Sequence, residues 1–381
     1  MAFLRNDAIN RVNLHSGIQA LALGAGAVFS LVFLLRAGVS VPAALLAQAT
    51  ILTGRFILRP AILPLATQWG LKPLLIAGTL GMAFHYPLLA EVRGVGPTLF
   101  VMVIVTSVGE VFYWVSYNAY FAALGDPEHR GHQIGAREAV VAIAGVVAPL
   151  FGATGLVTIG PRPTFAVVTL IQVLAAVPLL GLPNVPVQSH VPGSFKAARL
   201  AFLIIVGDGW FDAFFIFVWQ IALFVSLGES IPAYGGAMAL AGLVGAVCGL
   251  WLGRHVDAGH GRRVVAIGYA AAAALMLFRA ASLQLPWLAV IANALGALTM
   301  PLLIPGLATA TYNMAKASPC PFRFQMATEA GWDIGGFSAC VIAAALVASG
   351  VPLAVVLLLA LPGLAAGALL LRRYYARQAP T

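Results

Sequence analysis

Twelve long apolar stretches limit what this chain can fold into. A helix that crosses the hydrocarbon core of a bilayer needs about 20 mostly apolar residues. Twelve stretches meet this requirement, and we number them in chain order as spans 1 to 12: roughly 16–36, 41–66, 72–91, 97–124, 138–159, 163–183, 199–227, 231–253, 264–283, 286–313, 323–348 and 351–371. Only 9% of the residues are charged, against about 25% in soluble domains. The sequence therefore predicts an all-α integral membrane protein of twelve transmembrane helices.

The longest connection, "NVPVQSHVPGSFKAAR", lies between spans 6 and 7 and is rich in Pro, Ser and Val. It predicts a six-helix bundle over 1–183, a cytoplasmic linker over 184–198 and a second six-helix bundle over 199–381. An internal repeat supports this division. "YNAYFAALGDPEHRGHQIGARE" at the end of span 4 corresponds to "YNMAKASPCPFRFQMATEAG" at the end of span 10, and "WGLKPLLIAG" corresponds to "HGRRVVAIG". Such symmetry between halves is typical of membrane transporters.

Lysine and arginine residues in short loops predict the orientation of the spans. With the N-terminus in the cytoplasm, the outer side holds only Arg36, Arg93 and Arg162, and all other loop Lys and Arg residues are cytoplasmic. Both termini are then cytoplasmic, as expected for a multi-pass protein of a bacterial inner membrane. The net charge of +9 is explained by this orientation, so no nucleic-acid partner is expected. We expect the lipid bilayer as partner and a monomeric chain.

Two loop sequences carry a recognisable pattern. The loop between spans 8 and 9 contains the residues Gly253, Asp257, Gly261, Arg262 and Arg263, and the loop between spans 2 and 3 contains Gly70 and Lys72. With the six-plus-six repeat, this pattern resembles the major facilitator superfamily over essentially the whole chain. The resemblance implies a secondary transporter with two bundles around a central cavity. It also implies that spans 1, 4, 7 and 10 line the cavity, that spans 3, 6, 9 and 12 face lipid, and that spans 2, 5, 8 and 11 lie between the halves.

Span 5, "AGVVAPLFGATG", resembles the glycine-proline motif of the family's drug/proton antiporters at Pro149 and Gly152. This likeness favours export slightly. The alternative is that small residues here allow two helices to pack closely in lipid.

Asp208 and Asp212 in span 7 are four residues apart and therefore lie on one helix face. A rise of about 1.5 Å per residue from Arg199 places them roughly 13 and 20 Å deep. Desolvation and a like-charged neighbour both favour the protonated form of a carboxyl group, so this pair, with Trp210 between them, predicts a proton-coupling or substrate site. The alternative is a structural pair that bonds to helix backbone or to a neighbouring arginine.

Span 4 carries Glu110, Trp114 and Tyr117 on one helix face. If this face lines the cavity, Glu110 forms a second proton or cation site beside aromatic walls, where a cationic solute would stack on Trp114. An interfacial aromatic belt is the alternative. Gln19 in span 1 is a further candidate for the cavity.

Two arginines in span 2 and two carboxylates in span 11 match in depth and oppose in charge. Arg55 and Arg59 are one helical turn apart, as are Glu329 and Asp333. Because the resemblance places spans 2 and 11 side by side, we predict that Arg59–Glu329 and Arg55–Asp333 bridges close a cytoplasmic gate in the outward-facing state. The alternative is that each charge is satisfied within its own half.

The remaining polar residues indicate no enzyme site. No His-Glu-x-x-His pair, Gly-x-Ser-x-Gly elbow or phosphate-binding loop is present, and neither a cofactor nor a metal is expected. Arg279, near the outer end of span 9, can extend its side chain towards the outer membrane surface. We predict a proton-coupled transporter of a small organic solute working by alternating access. An importer or uniporter of a metabolite or metal ion, a membrane-embedded enzyme, and a sensor or assembly factor are the alternatives.

Overall fold

The computed structural model describes residues 6–125, 130–252 and 261–378, with all of their side chains except those of 130–136, 248–252, 261–262 and 378. This part of the chain is helical and contains no strand. The helices of spans 1 to 12 are, in order, Asp7–Arg36, Val41–Trp69, Leu71–Ala90, Pro97–Leu124, Arg130–Thr158, Pro161–Leu180, Arg199–Ser226, Ile231–Leu252, Gly261–Ser282, Pro286–Ala317, Pro321–Ala348 and Leu353–Arg377. The prediction of an all-α chain is confirmed.

Eleven of these helices are long and apolar enough to cross a membrane, counting only described residues. The twelfth, span 8, has a shorter apolar segment, Ile231–Val247, because the side chains that follow it are not described. Span 1 begins at Asp7 rather than near residue 16. The Asn6 side chain accepts a hydrogen bond from the Ile9 amide at 3.0 Å, and this N-cap extends the helix into a polar stretch.

Two spans depart from a regular α-helix. Span 1 is interrupted at Gly26, which is followed by a 3₁₀ turn, Ala27–Phe29, and then by the α-helix Ser30–Arg36. Span 7 contains a π-helical segment, Ala213–Val218, immediately after Asp212. Both features are local changes in helical register, which often occur at functional positions.

The chain divides into two compact units. Unit 1 comprises Met1–Val39 and Gly54–Val191, and unit 2 comprises Ser40–Thr53 and Pro192–Thr381. The helix of span 2 therefore contributes its first part to unit 2 and its second part to unit 1. The two units are defined by contacts within the structure. The bundles 1–183 and 199–381 were defined from the sequence, and that division stays a prediction.

Glycines bring helices of the same unit into backbone contact. In unit 2, a Cβ atom on Gly209 of span 7 would lie 2.8 Å from the Trp332 Cα of span 11. A Cβ atom on Gly335 would lie 2.6 Å from the Trp210 amide nitrogen. Since real Cβ contacts are longer than this, spans 7 and 11 approach more closely than any side chain would allow.

Spans 1 and 5 pack in the same way within unit 1. A Cβ atom on Gly152 would overlap the Ala25 carbonyl oxygen, and one on Gly24 would lie 2.8 Å from the Ala148 Cβ. Pro149 also borders this contact, with its Cδ 3.6 Å from the same position on Gly24. The span 5 motif thus has a packing role in unit 1, as its second interpretation required.

The loop between spans 2 and 3 is fastened to the end of span 6. Gly70 has φ +81°, a backbone conformation that glycine adopts without strain. The Lys72 ammonium donates to the Leu182 carbonyl at 2.8 Å. Asn184 accepts from the Lys72 amide at 3.2 Å and donates to the Trp69 carbonyl at 2.7 Å. Gly70 and Lys72 therefore stabilise a junction inside unit 1.

An exposed ion pair joins the end of span 3 to the start of span 6. Arg162 donates two hydrogen bonds to the Glu91 carboxylate, at 2.6 and 2.8 Å. These hydrogen bonds and the positive charges of Arg162 and Arg93 lower the pKa of Glu91. A carboxylate with a lowered pKa in the folded state stabilises the fold above its unfolded pKa, about 4.3, and loses this contribution as the pH falls through the lower folded value.

We therefore expect Glu91→Gln to lower the melting temperature of the purified protein slightly at pH 7. The difference from the parent protein should shrink as the pH is lowered towards 3, because the parent then loses the same charge. Thermal unfolding in detergent across this pH range measures the effect. Glu229→Gln, at an exposed residue with no ion pair among the described side chains, is the control. A difference that persists unchanged at low pH would contradict the assignment.

Candidate functional site

Asp208 and Asp212 lie on one face of span 7 in unit 2, and both are partly buried. The Trp332 indole N–H of span 11 donates a hydrogen bond to Asp212 Oδ2 at 2.9 Å. Phe217 packs edge-on against the Trp332 ring, with centroids 6.2 Å apart. In the described part of the chain neither aspartate forms an ion pair. The arrangement is an acidic pair beside aromatic rings.

Trp210 faces a different side of span 7. Its indole N–H donates to the Leu359 carbonyl of span 12 at 2.6 Å. A Cβ atom on Gly363 would lie 2.6 Å from the Trp210 ring. Because two residues along a helix turn the side chain by about 200°, Trp210 cannot share a face with its neighbours Asp208 and Asp212. It packs against span 12 inside unit 2.

Glu110 of span 4 is paired within unit 1. Arg55 Nη1 of span 2 donates to Glu110 Oε2 at 3.0 Å, and the two side chains are 5% and 21% exposed. A carboxylate at membrane depth is stabilised by such a partner. Trp114 lies one turn further along span 4 and packs edge-on against Tyr113, with centroids 5.0 Å apart.

Tyr117 belongs to a buried polar network that sequence reasoning did not assemble. Its hydroxyl lies 2.7 Å from the Ser16 hydroxyl, and its ring stacks on that of Tyr113 at 5.5 Å. Arg137 Nη1 donates to the Tyr117 hydroxyl at 3.4 Å. His15 Nδ1 donates to the Ala175 carbonyl at 2.7 Å, and its Nε2 lies 3.1 Å from the Tyr113 hydroxyl. The network ties spans 1, 4, 5 and 6 together.

Gln19 is also buried in unit 1, and it faces spans 3 and 6. Its carbonyl oxygen accepts from the Gln172 amide at 2.6 Å. Its own amide points at the Met82 sulfur at 3.6 Å. Gln172 in turn donates to the Thr79 carbonyl at 3.1 Å. These contacts give Gln19 a role in packing inside the bundle.

The residues of the predicted cytoplasmic gate are divided between the two units. Arg59 and Asp333 are buried, at 3% and 0% exposed, and Glu329 is partly buried. Arg55 has Glu110 as a partner within its own unit, as the alternative interpretation required for that residue. The Arg59–Glu329 and Arg55–Asp333 bridges would join residues of different units and stay a prediction.

A charge swap checks this prediction. We expect Arg59→Glu and Glu329→Arg each to impair transport in proteoliposomes, because an unpaired buried charge costs roughly 3–5 kcal/mol in the state that forms the bridge. The double swap should restore part of the activity. The same swap at the exposed pair of Asp7 and Arg11, whose side chains are 77% and 46% exposed, is the control. Absence of rescue in the double variant would rule out the Arg59–Glu329 bridge.

The motif in the loop between spans 8 and 9 lies partly outside the described residues. Gly253 and Asp257 are outside the described residues, Gly261 begins the helix of span 9, and the side chain of Arg262 is not described. Arg263 is exposed. Within the described residues, no group of three His, Cys, Asp or Glu side chains could hold a metal ion.

The expectation that Arg279 extends to the membrane surface is wrong. Its side chain is 2% exposed and lies between two aromatic rings, 4.1 Å from the centroid of Phe215 and 4.4 Å from that of Trp219. The position of Arg279 near the outer end of span 9 suggested that its side chain would extend to the membrane surface. The aromatic residues of span 7 provide a nearer environment in which a guanidinium is stabilised.

Comparisons with known proteins agree with this architecture. The family model of the Major Facilitator Superfamily matches residues 16–322. The crystal structure of the human organic anion transporter MFSD10 (TETRAN) has a TM-score of 0.71 and 12% identity, covering 96% of this chain and 99% of that one. The E. coli fucose:proton symporter FucP has a TM-score of 0.67 and 15% identity, covering 99% and 100%.

FucP in its outward conformation is similar to the same degree, with a TM-score of 0.68 and 16% identity over 99% of this chain and 100% of the other. No curated protein matches the chain in sequence. At these identities the solved structures show the fold, which is that of two helical bundles. The family model covers most of the chain and shows the family. The chain therefore belongs to the major facilitator superfamily, whose members are transporters and not enzymes.

Proposed function

We propose that this protein is a proton-coupled secondary transporter of a small organic solute, with Asp208 and Asp212 as its proton-binding site. The observation that carries the proposal is the partly buried carboxylate pair in span 7, which has Trp332 as a hydrogen-bond donor and no basic partner in the described residues. Charged groups inside a membrane are costly unless they are paired or functional. A carboxyl group that gains and loses a proton during transport satisfies this condition.

Glu110 fits this role less well than the span 7 pair. Its carboxylate accepts from Arg55, and an opposite charge at this distance favours the ionised form. We propose that Glu110 and Arg55 position spans 2 and 4 in unit 1. Solute contacts with Trp114 remain part of the proposal.

The proposed class of solute is supported by the two similar solved structures. FucP is a symporter of fucose and protons, and MFSD10 transports organic anions, so both support a small organic solute. The span 5 likeness favours export slightly, and import is the alternative direction. The distribution of lysine and arginine supports cytoplasmic termini in a bacterial inner membrane, and we propose a monomer.

Proteoliposomes test the proposal. Purified protein is reconstituted with a pH-sensitive dye inside, and a pH gradient is imposed across the bilayer. L-fucose, gluconate and choline, which cross a lipid bilayer only slowly without a carrier, serve as neutral, anionic and cationic probes. We expect at least one of them to change the rate at which the gradient collapses, and only when protein is present. A solute that crosses through the protein at the same rate with and without the gradient, and moves no protons, would show that proton coupling is wrong.

A further inference from the structure

Arg279 of span 9 is a buried arginine. Its guanidinium lies over the rings of Phe215 and Trp219 of span 7, at 4.1 and 4.4 Å from their centroids. Among the described residues it forms no ion pair, and its Nε–H has no hydrogen-bond acceptor. A buried cation in this position is costly, so its presence requires a specific partner.

The partner is a backbone carbonyl. Arg279 Nη1 donates a hydrogen bond to the Phe215 carbonyl oxygen at 2.8 Å. Span 10 closes the other side, because a Cβ atom on Gly296 would overlap Arg279 Nη2. The guanidinium therefore fills the space between spans 7, 9 and 10. These contacts are all with the protein itself, so a packing role is the stronger interpretation and a ligand site is the weaker one.

The Phe215 carbonyl lies within the π-helical segment Ala213–Val218. Hydrogen bonds in a π-helix run from residue i to residue i+5, so the widened turn contains a carbonyl that lacks its usual α-helical donor. A buried carbonyl without a donor is unfavourable. Arg279 supplies a charged donor at this point, and such hydrogen bonds are stronger than neutral ones.

Span 7 is anchored on both sides of the π-helical segment. Before it, Asp212 accepts from Trp332 of span 11 at 2.9 Å. After it, the Trp219 indole donates to Asn293 of span 10 at 3.0 Å, and Asn293 donates to the Ala237 carbonyl of span 8 at 2.9 Å. One residue more or less in a helical segment rotates all following side chains by about 100°. The π-helical segment thus determines how the Asp208–Asp212 face is oriented relative to the rest of span 7.

We propose that Arg279 is a positioning residue that holds the π-helical segment of span 7, and thereby keeps Asp212 directed at Trp332. The expected effect of Arg279 on transport rests on the proposed function, because it assumes that Asp212 binds a proton. The structural part, in which the guanidinium stabilises the Phe215 carbonyl, is independent of proton coupling. Among the described residues, no hydrogen bond or ion pair joins Arg279 to Asp208 or Asp212.

A double-mutant cycle tests the structural part. Arg279→Met leaves the Phe215 carbonyl without its donor, whereas deletion of Ile216 closes the segment as an α-helix and leaves Arg279 without its acceptor. Removing one partner of a buried hydrogen bond is costly, but removing both is close to neutral. We expect each single change to lower the melting temperature in detergent and the combined variant to recover most of that loss. Additive losses would overturn the proposal.

Two further variants guard against simple misfolding. Arg279→Lys keeps the charge and a donor, so its melting temperature should lie above that of Arg279→Met. Arg36→Met removes an exposed arginine predicted on the same side of the membrane and should leave the melting temperature unchanged. Equal losses in the Lys and Met variants would also overturn the proposal, because charge and donor would then make no contribution.

Proton flux driven by the same three probe solutes then separates the two proposals. We expect Arg279→Met to lose flux and its combination with the Ile216 deletion to regain it. If a probe solute crosses through the parent protein and moves no protons, the proposed function is wrong, and the melting-temperature cycle still decides the structural role of Arg279. If the parent moves protons and Arg279→Met does so equally well, the positioning role is wrong.

Discussion

Asp208→Asn and Asp212→Asn should each reduce proton-driven solute flux to the level of protein-free liposomes. An asparagine amide has nearly the shape of the aspartate side chain, and at position 212 its oxygen still accepts from the Trp332 indole. The amide, however, does not gain and lose a proton as a carboxyl group does. Exchange of labelled against unlabelled solute without a pH gradient should continue, because it requires alternating access but no net proton movement. The measurement is flux with the dye-loaded vesicles, with and without the gradient.

Asp7→Asn is the matched control for this experiment, since Asp7 is exposed at the start of span 1 and pairs only with the exposed Arg11 among described side chains. Its flux should equal that of the parent protein. If both single variants and the double variant kept the full proton-driven flux, the proton site would lie elsewhere. Glu110 would then be the next carboxylate to test.

Gly209→Val and Gly335→Val should prevent the purification of folded protein or lower its melting temperature strongly. At both positions an added side chain would meet the backbone of the opposite helix, at Trp332 and at Trp210 respectively. Overpacking a well-packed interior costs roughly 1–3 kcal/mol, and more where backbone must move. Because spans 7 and 11 also hold Asp212 and Trp332, we expect any protein that does fold to have lost proton-driven flux.

Gly236→Val provides the comparison for the glycine variants. Gly236 also lies in a transmembrane helix, span 8, but a Cβ atom there meets nothing within 4 Å. Size-exclusion profiles and thermal unfolding of the three variants measure the effect. Equal behaviour at all three positions would mean that the close contact between spans 7 and 11 does not limit stability.

The sequence predicted the number and order of the helices because apolar length alone determines which segments can cross a membrane. It predicted the Asp208–Asp212 pair because helical periodicity places residues four apart on one face. It could not predict Trp332 as the partner of Asp212. That contact depends on the rotation of span 11 about its axis relative to span 7, which the spacing of residues within one span does not determine.

Two other features were missed for related reasons. The pairing of Arg55 with Glu110 requires the relative height of spans 2 and 4, which short loops leave undetermined. The π-helical segment of span 7 has no composition that separates "AFFIFV" from an ordinary apolar turn. The sequence signal for this segment was Arg279 itself, because an arginine among apolar residues of a span needs a hydrogen-bond acceptor. Phe215 and Trp219, four residues apart in span 7, provide two aromatic rings between which its guanidinium lies.

The shared helix of span 2 has a consequence for biosynthesis. Its first part, Ser40–Thr53, belongs to unit 2, where Leu52 lies against Gly336 of span 11. At about 5–20 residues per second, roughly 15 to 60 seconds pass between the synthesis of Leu52 and that of Gly336. During this interval the surface of Leu52 that later packs on Gly336 must be covered by lipid or by an insertion chaperone. Unit 2 is therefore completed only after nearly the whole chain has left the ribosome, and a ribosome that stalls in span 10 leaves this segment without its final neighbour.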